Sequence, residues 1–353
     1  MAHKPVTIQD VAFLAQTSPS TVSNLLNGRV DRMRPDTRER IERAMDQLGY
    51  RPSQVARQLR TGQAPILGLI IPSVANPFWG SFAQYVEEAA RAHGYQVLLC
   101  NGGRDPEREE RYAESLWSHG VRGVIFGSSP LSLDHVLGFV ERGLRVVVFD
   151  RDVRDVDSSK RDFIDNISID NEMGGRLATD HLLGLGHRNI GFLSGPLHTA
   201  SRLARLEGYR RASWEEGVEP GSRLIWEEAG NQHFGDVEGF ELGRCGAREL
   251  LGGVDPPSAL FTINDMYALG AYAGVRDLGL RVPEDVSIVG FDDIPMAEIA
   301  QPPLTTIRQP VREMMETAVA LLVGRLQGTY TELAEHMTVT PTLVLRASTA
   351  RPH

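Results

Sequence analysis

The sequence predicts a small all-helical head joined by a short linker to an α/β core of two doubly wound, Rossmann-like halves. Three observations predict this. Residues 7–48 carry a helix-turn-helix pattern, a proline-bounded polar stretch follows, and from Ile66 apolar runs of strand length alternate, twice over, with amphipathic helices. With 353 residues and 41% apolar composition, the chain is long enough for two or three compact units with their own cores.

The head begins at TIQDVAFLAQTSPSTVSNLLN. Thr7 caps a first helix with Asp10 three residues on, a carboxylate form of the capping box, and Val11, Ala12, Leu14 and Ala15 make its apolar side. Gln16-Thr17 breaks the pattern. Ser18 then caps a second helix, Pro19 suits its first position, and Val22, Leu25 and Leu26 continue at helical spacing to about Leu26. Helices this short are marginal alone, so a third, Asp36 to Leu48, must cover them with Ile41, Ala44, Met45 and Leu48. Ser20, Thr21, Ser23 and Asn24 leave the second helix with a polar face suited to phosphates or base edges; the same pattern also fits an ordinary αα-hairpin with solvated side chains.

Charge divides the chain in the same way. Residues 1–63 hold ten Lys/Arg against six Asp/Glu, net +4, so the remainder carries −13 of the total −9. A basic head attracts DNA through counterion release, while an acidic body discourages nonspecific contact. Lys4, Arg29, Arg32, Arg34 and Arg38 are the candidate phosphate partners, each also readable as a solvated surface charge. Cys100 and Cys245 form neither a disulfide framework nor a CxxC pair and are read as reduced thiols. With no apolar signal segment and no run of about 18 apolar residues, a cytoplasmic location is expected.

Between Tyr50 and Pro65 the polar, basic stretch YRPSQVARQLRTGQAP reads as a linker with about a turn and a half of helix from Ser53 to Leu59. Beyond it ILGLIIP, QVLLCNG, GVIFGS and RVVVFD read as parallel strands buried on both faces, and a second copy of the rhythm starts at NISID. Two such halves form a cleft at their strand C-termini. Polar groups recur there: Ser73 to Phe78, Gly127 to Ser129 and Asp150-Arg151 in the first half, then Ser194 to Ser201, Asn264-Asp265 and Asp292-Asp293 in the second. Any one of them could be a turn or helix cap; their recurrence at equivalent tips points to a ligand.

Enzyme chemistry finds no support in the motifs. There is no GxGxxG after a strand, no GxxxxGK[ST] and no GxSxG elbow, and His181 with His187 lacks the spacing of helical metal ligands. No cofactor and no metal are expected. A periplasmic-type solute-binding protein would share the two-lobed cleft, but a basic helix-turn-helix stands where its secretion signal belongs.

The motifs T-I-x-D-V-A, S-x-x-T-V-S-x-x-L-N, T-R-x-R-I and G-Y-x-P-x-x-x-A-R-x-L together resemble the head and hinge of the lactose-repressor (LacI/GalR) family of bacterial transcription regulators, and the resemblance continues through the chain. It implies that Thr7, Ser18, Pro19, Ser20, Thr21, Ser23, Asn24, Asn27, Arg32 and Tyr50 serve DNA binding, with Ala56, Arg57 and Leu59 in a hinge that orders on operator. Leu59 would wedge between base pairs in the minor groove. The core would resemble periplasmic sugar-binding proteins, with Phe78, Ser128, Asp150, Ser201, Arg205, Phe234, Asn264 and Asp292 at effector positions and Trp79 beside Phe78. Asp170 matches a family motif but also suits a helix cap.

The implied domains are 1–51 for the head, 52–64 for the hinge and 65–353 for the core. Within the core, an N-terminal subdomain takes about 65–165 with 308–335, and a C-terminal one about 166–307 with 336–353. A long helix from Val311 to Gly328 follows the crossover PPLTTI, and VTPTLVLRAST returns as a last strand. No terminal leucine heptad follows, so a homodimer on a near-palindromic operator is expected rather than a four-chain assembly.

Three departures from the family stand out: Pro19, Ser20 and Asn24 lack the arginine of many relatives, the Gly28 to Arg34 loop is slightly longer than in the lactose repressor, and Gly127 stands where some sugar-binding relatives have an amide side chain. Operator and ligand therefore do not transfer. The expected function is an allosteric repressor whose effector is a neutral sugar or polyol, matched to a mix of Asp, Asn and one Arg. The alternative is a purine or another metabolite.

Overall fold

The computed structural model describes residues 6–26, 33–50, 65–127, 132, 134–150, 164–218, 225–226, 238–330 and 333–353. The chain divides into two compact units, residues 1–64 and 65–353.

In the first unit the three expected helices form: α1 (Ile8–Leu14), α2 (Pro19–Leu26) and α3 (Pro35–Leu48). Thr7 and Asp10 make the capping box, the Asp10 carboxylate accepting from the Thr7 backbone N–H at 2.8 Å. Ser18 Oγ accepts from the Thr21 backbone N–H at 3.1 Å, which starts α2. Val11, Ala12, Ala15, Val22, Ile41 and Ala44 are the core of this unit, while Leu14, expected on the apolar side, is 44% exposed. Arg34 takes the cap position of α3 without a side-chain bond, leaving Pro35 to start the helix.

The second unit contains two sheets. The first has the order β11-β5-β4-β3-β1-β2, all parallel, from β1 (Ile66–Ile71), β2 (Gln96–Asn101), β3 (Gly123–Phe126), β4 (Arg145–Phe149), β5 (Ile164–Ile169) and β11 (His336–Val339). Its helices are α4 (Pro77–Ala92), α5 (Pro106–Ser118), α6 (Asp134–Glu141) and α12 (Val311–Gln327). Neighbouring residues of β1 serve opposite faces: Leu69 and Ile71 pack with Phe82 and Val86 of α4, and Ile70 with Ala113 and Leu116 of α5.

The second sheet has the order β12-β10-β9-β8-β6-β7, from β6 (Ile190–Leu193), β7 (Ile225–Trp226), β8 (Ala259–Thr262), β9 (Ser287–Asp292), β10 (Thr305–Arg308) and the antiparallel β12 (Thr342–Val344). Its helices are α7 (Asn171–Gly184), α8 (Ala200–Glu215), α9 (Gly239–Leu251), α10 (Asp265–Asp277) and the short α11 (Pro295–Ile299). Phe192 of β6 packs on Tyr209 of α8, while Gly191 beside it faces Leu250 of α9, so the helix pairs α7–α8 and α9–α10 cover opposite faces.

Strand pairing moves the expected subdomain boundaries. NISI belongs to β5, which pairs with β4 in the first sheet, so the first crossover follows Ile169 rather than residue 165. The last segment is also two strands rather than one. His336–Val339 joins β5 in the first sheet and Thr342–Val344 joins β10 in the second. Pro341, which has no N–H to donate, separates them. QVLLCN, expected as a doubly buried strand, is instead the edge strand β2, with Leu98 45% and Leu99 40% exposed.

Two histidines fasten the C-terminal tail to the second sheet. His187, 1% exposed, places Nε2 2.9 Å from the Ala350 carbonyl and Nδ1 2.8 Å from Ser258 Oγ. A carbonyl only accepts, so Nε2 carries the proton and Nδ1 accepts from Ser258. His181 Nε2 reaches Thr349 Oγ1 at 2.9 Å. Burial lowers the pKa of both rings, and for His181 the neighbouring His187 lowers it further. A histidine with a lowered folded-state pKa takes up its proton on unfolding, so its stability contribution is lost as pH falls through the unfolded value near 6.5. The unfolding free energy from urea titrations should therefore fall between about pH 6.5 and 5 by up to about 1.4 kcal/mol per pH unit more steeply in the parent than in His187→Gln. Parallel slopes would contradict this.

Candidate functional site

In the head, α2 presents Pro19, Ser20 and Asn24 as exposed residues, while Thr21 and Ser23 are half-buried. Thr7 and Ser18 spend their hydroxyls on caps, and Tyr50 packs against the helical core. Arg38 is paired with Glu42 at 2.7 Å. Lys4, Asn27, Arg29, Arg32, Ala56, Arg57 and Leu59 lie outside the described residues, as do Ser128 and Phe234 of the expected pocket.

In the core, a cavity collects residues from strand C-termini and helix N-termini of both sheets. The first sheet supplies Asn76, Phe78 and Trp79 at the start of α4, Arg104 after β2, and Phe149 with Asp150 at the end of β4. The second supplies Ser201, Arg202 and Arg205 of α8, Ile263 and Asn264 after β8, Asp292 ending β9, and Gln309 after β10. Six of the eight expected positions thus meet in one place: Phe78, Asp150, Ser201, Arg205, Asn264 and Asp292. Trp79 joins them. Asp170 does not; its carboxylate accepts from the Met173 backbone N–H at 2.8 Å and caps α7.

Arg205 is 7% exposed and lies with its guanidinium carbon 3.5 Å over the Phe291 ring. Its Nε donates to Asn171 Oδ1 at 2.8 Å and its Nη1 to the Ile263 carbonyl at 2.7 Å. Its other N–H groups have no partner among the described residues. Burial lowers its pKa, opposed by the charges of Asp292 and Asp150. Asp150, at φ 55°, accepts from the Ile169 backbone N–H at 2.9 Å. Burial raises its pKa against the pull of Arg205.

Asp292, at φ 114°, accepts from Gln309 Nε2 at 2.7 Å, and the buried Gln309 Oε1 has no partner among the described residues. Asn264 spends its Oδ1 on the Tyr267 backbone N–H, capping α10. Behind Asp292, the fully buried Asp265 accepts from Thr306 Oγ1 at 2.6 Å and from the Ile294 backbone N–H at 2.9 Å, fixing the turn after β9. Its pKa is pushed well up by burial, then by Asp292. Phe78, Trp79 and Phe149 stand together as an aromatic wall, with Phe78 and Trp79 edge to face at 4.9 Å. An apolar wall facing a few converging donors and acceptors suits a small ring-shaped or polyhydroxylated molecule.

Asn76 falls within the strand-tip stretch Ser73 to Phe78, whereas sequence reasoning missed Arg104, Phe149, Arg202, Ile263 and Gln309. Gly102-Gly103 before Arg104 was an available turn signal, and Phe149 directly precedes a selected aspartate. Arg202 carried no such mark, since an arginine three residues before another on a helix reads as surface.

A helix-turn-helix unit linked to a two-sheet core with a polar cavity at its strand tips defines a ligand-responsive DNA-binding regulator. Residues 7–53 match the model of bacterial regulatory proteins of the lacI family, and residues 179–349 match that of the periplasmic binding protein-like domain. The ribose operon repressor of Haemophilus influenzae is 34% identical over 97% of this chain and 98% of its own. The transcriptional repressor PurR of the same species is 35% identical over 97% and 98%. The crystal structure of the lac repressor dimer bound to operator and the anti-inducer ONPF superposes with a TM-score of 0.83, at 30% identity over 98% of this chain and 100% of that one. The chain belongs to the lacI family of bacterial regulatory proteins. It is a DNA-binding transcription regulator, and its relatives are repressors rather than enzymes. No helix among the described residues is long and apolar enough to cross a membrane.

Proposed function

We propose that this protein is a cytoplasmic repressor that binds its operator as a homodimer and is controlled by a sugar or polyol held in the core cavity. The observation that carries the ligand class is the convergence of Arg205, Asp292, Asn264 and Gln309 beside an aromatic wall. Arg205 and the Asn264 amide offer donors, while Asp292 and the Gln309 Oε1, without a partner among the described residues, offer acceptors. Vicinal hydroxyls, each both donor and acceptor, satisfy such a mixture. The same aromatic wall favours a second reading, a purine stacked on Trp79.

Pro19, Ser20 and Asn24 would read DNA from α2, with Leu59 and its neighbours forming the hinge. Leu98 and Leu99, exposed on the open edge strand β2, support pairing with a second copy, because an uncovered apolar edge is otherwise an aggregation hazard. Ligand and operator communicate if the two lobes take different relative orientations in the two states, for a coupling of about 1–3 kcal/mol.

A thermal-shift screen of sugars, polyols and purine bases tests the ligand class. A true effector at 100 times its Kd stabilises the folded protein by about 2.7 kcal/mol. Stabilisation by sugars or polyols is the expected outcome, and stabilisation by purines alone would overturn it.

A further inference from the structure

The cavity is more cationic than a neutral ligand requires. Its described lining contains Arg104, Arg202 and Arg205 against Asp150 and Asp292, a net charge of +1. Arg202 and Arg205 are 4% and 7% exposed, and neither makes an ion pair with a described residue. A buried guanidinium without a carboxylate in contact is costly unless something else supplies the opposite charge.

Arg202 and Arg205 lie three residues apart on α8, a spacing that puts their side chains on one face of the helix. Arg202 gives one N–H of Nη1 to the Pro196 carbonyl at 2.8 Å and lies 5.9 Å over the Tyr267 ring, which leaves its Nε and Nη2 without a described partner. Room for it is built in: a Cβ on Gly195 would come within 3.1 Å of Arg202 Nη1 and 2.2 Å of Tyr267 Oη. Arg202 also sits in the first turn of a sixteen-residue helix, whose N-terminal dipole adds to the positive potential.

From this pairing of two buried guanidinium groups we infer that the ligand is acidic: a polyol bearing a carboxylate or phosphate, which Arg202 and Arg205 seat together. This rests on the sugar or polyol reading above and sharpens it. Fork-shaped guanidinium donors match either anion bidentately. Burial disfavours the charge on Arg205, Asp292 and Asp150 favour it, and Arg202 and Arg104 oppose it in turn; an anionic ligand would offset that like-charge opposition.

The experiment is calorimetric titration of the full-length protein with gluconate, glucuronate, glucose 6-phosphate and ribose 5-phosphate, beside glucose, ribose and sorbitol. At least one acid should bind about 10- to 100-fold tighter than its neutral counterpart. The carboxylates and the phosphates are separate arms, and the tighter arm identifies the anion. Arg202→Gln should collapse that ratio towards one, while Arg202→Lys, which keeps the charge, should retain much of it. A purely structural Arg202 would change acid and neutral affinities together and leave the ratio standing. Neutral polyols binding as tightly as the acids, or a ratio unmoved by Arg202→Gln, would overturn the inference while leaving the polyol reading intact. Failure of every polyol, acidic or neutral, would overturn both.

Discussion

Replacing Arg205 by methionine is expected to abolish the ligand response and leave operator binding unchanged. Arg205 is the hub of the cavity: it crosses from α8 to Asn171 and to the Ile263 carbonyl, and its charge opposes the rise in pKa of Asp150. Methionine keeps much of the apolar stem over Phe291 and removes every donor. If the ligand takes two charge-assisted hydrogen bonds from this side chain, each worth about 1.5–3 kcal/mol, affinity should fall roughly 10²- to 10⁴-fold. The substitution also leaves Asn171 Oδ1 and a carbonyl unsatisfied, at a cost of about 1–3 kcal/mol each to the fold. The head is a separate compact unit, so operator affinity without ligand should not move. Calorimetry with the effector and fluorescence anisotropy with operator, on the same preparation, separate the two effects. Normal ligand affinity in Arg205→Met would remove Arg205 from the site.

Gly175→Ala is expected to be destabilising and to weaken ligand binding from outside the cavity. A Cβ there would stand 2.2 Å from the Arg205 carbonyl oxygen, and one on Gly208 would stand 2.0 Å from that of Glu172. Helices α7 and α8 therefore touch backbone to backbone through two glycines, and neither obstacle is a flexible side-chain end. Overpacking at such a crossing costs about 1–3 kcal/mol, and relief requires α8 to move away, carrying Arg205 with it. Gly184→Ala, on the same helix with no atom within 4 Å of the added Cβ, is the control and should gain about 0.5–1 kcal/mol. Chemical denaturation midpoints should separate the two variants in opposite directions. Equal stability would mean that the α7–α8 crossing is looser than its geometry states.

How much of this was legible in the sequence follows from which interactions are local. The head helices were readable to within a residue, because their boundaries are set by Thr7, Asp10, Ser18 and Pro19, whose partners lie within three positions. The strands were readable as continuous apolar runs. Which sheet each joins was not, because the pairing of β5 with β11 joins residues about 170 positions apart, as in the 2.8 Å bond from the Asn166 N–H to the Glu335 carbonyl. Polarity at strand tips, with the family resemblance, picked out Asp150, Asn264 and Asp292. It could not reveal Arg202, whose burial depends on Tyr267 arriving from α10, or Gln309, which enters the cavity only because the crossover after β10 passes Asp292. A count of one arginine supported a neutral ligand; three arginines brought together in space do not.

The most direct measurement of the central claim is fluorescence anisotropy of the purified protein on a genomic duplex containing its operator and on a random duplex of equal length, at moderate salt, with and without the effector found by thermal shift. The account predicts a clear preference for the operator and a change of about 5- to 150-fold in that affinity when ligand is added. Equal affinity for both duplexes, or an operator affinity that ignores a ligand known to occupy the core, would contradict it.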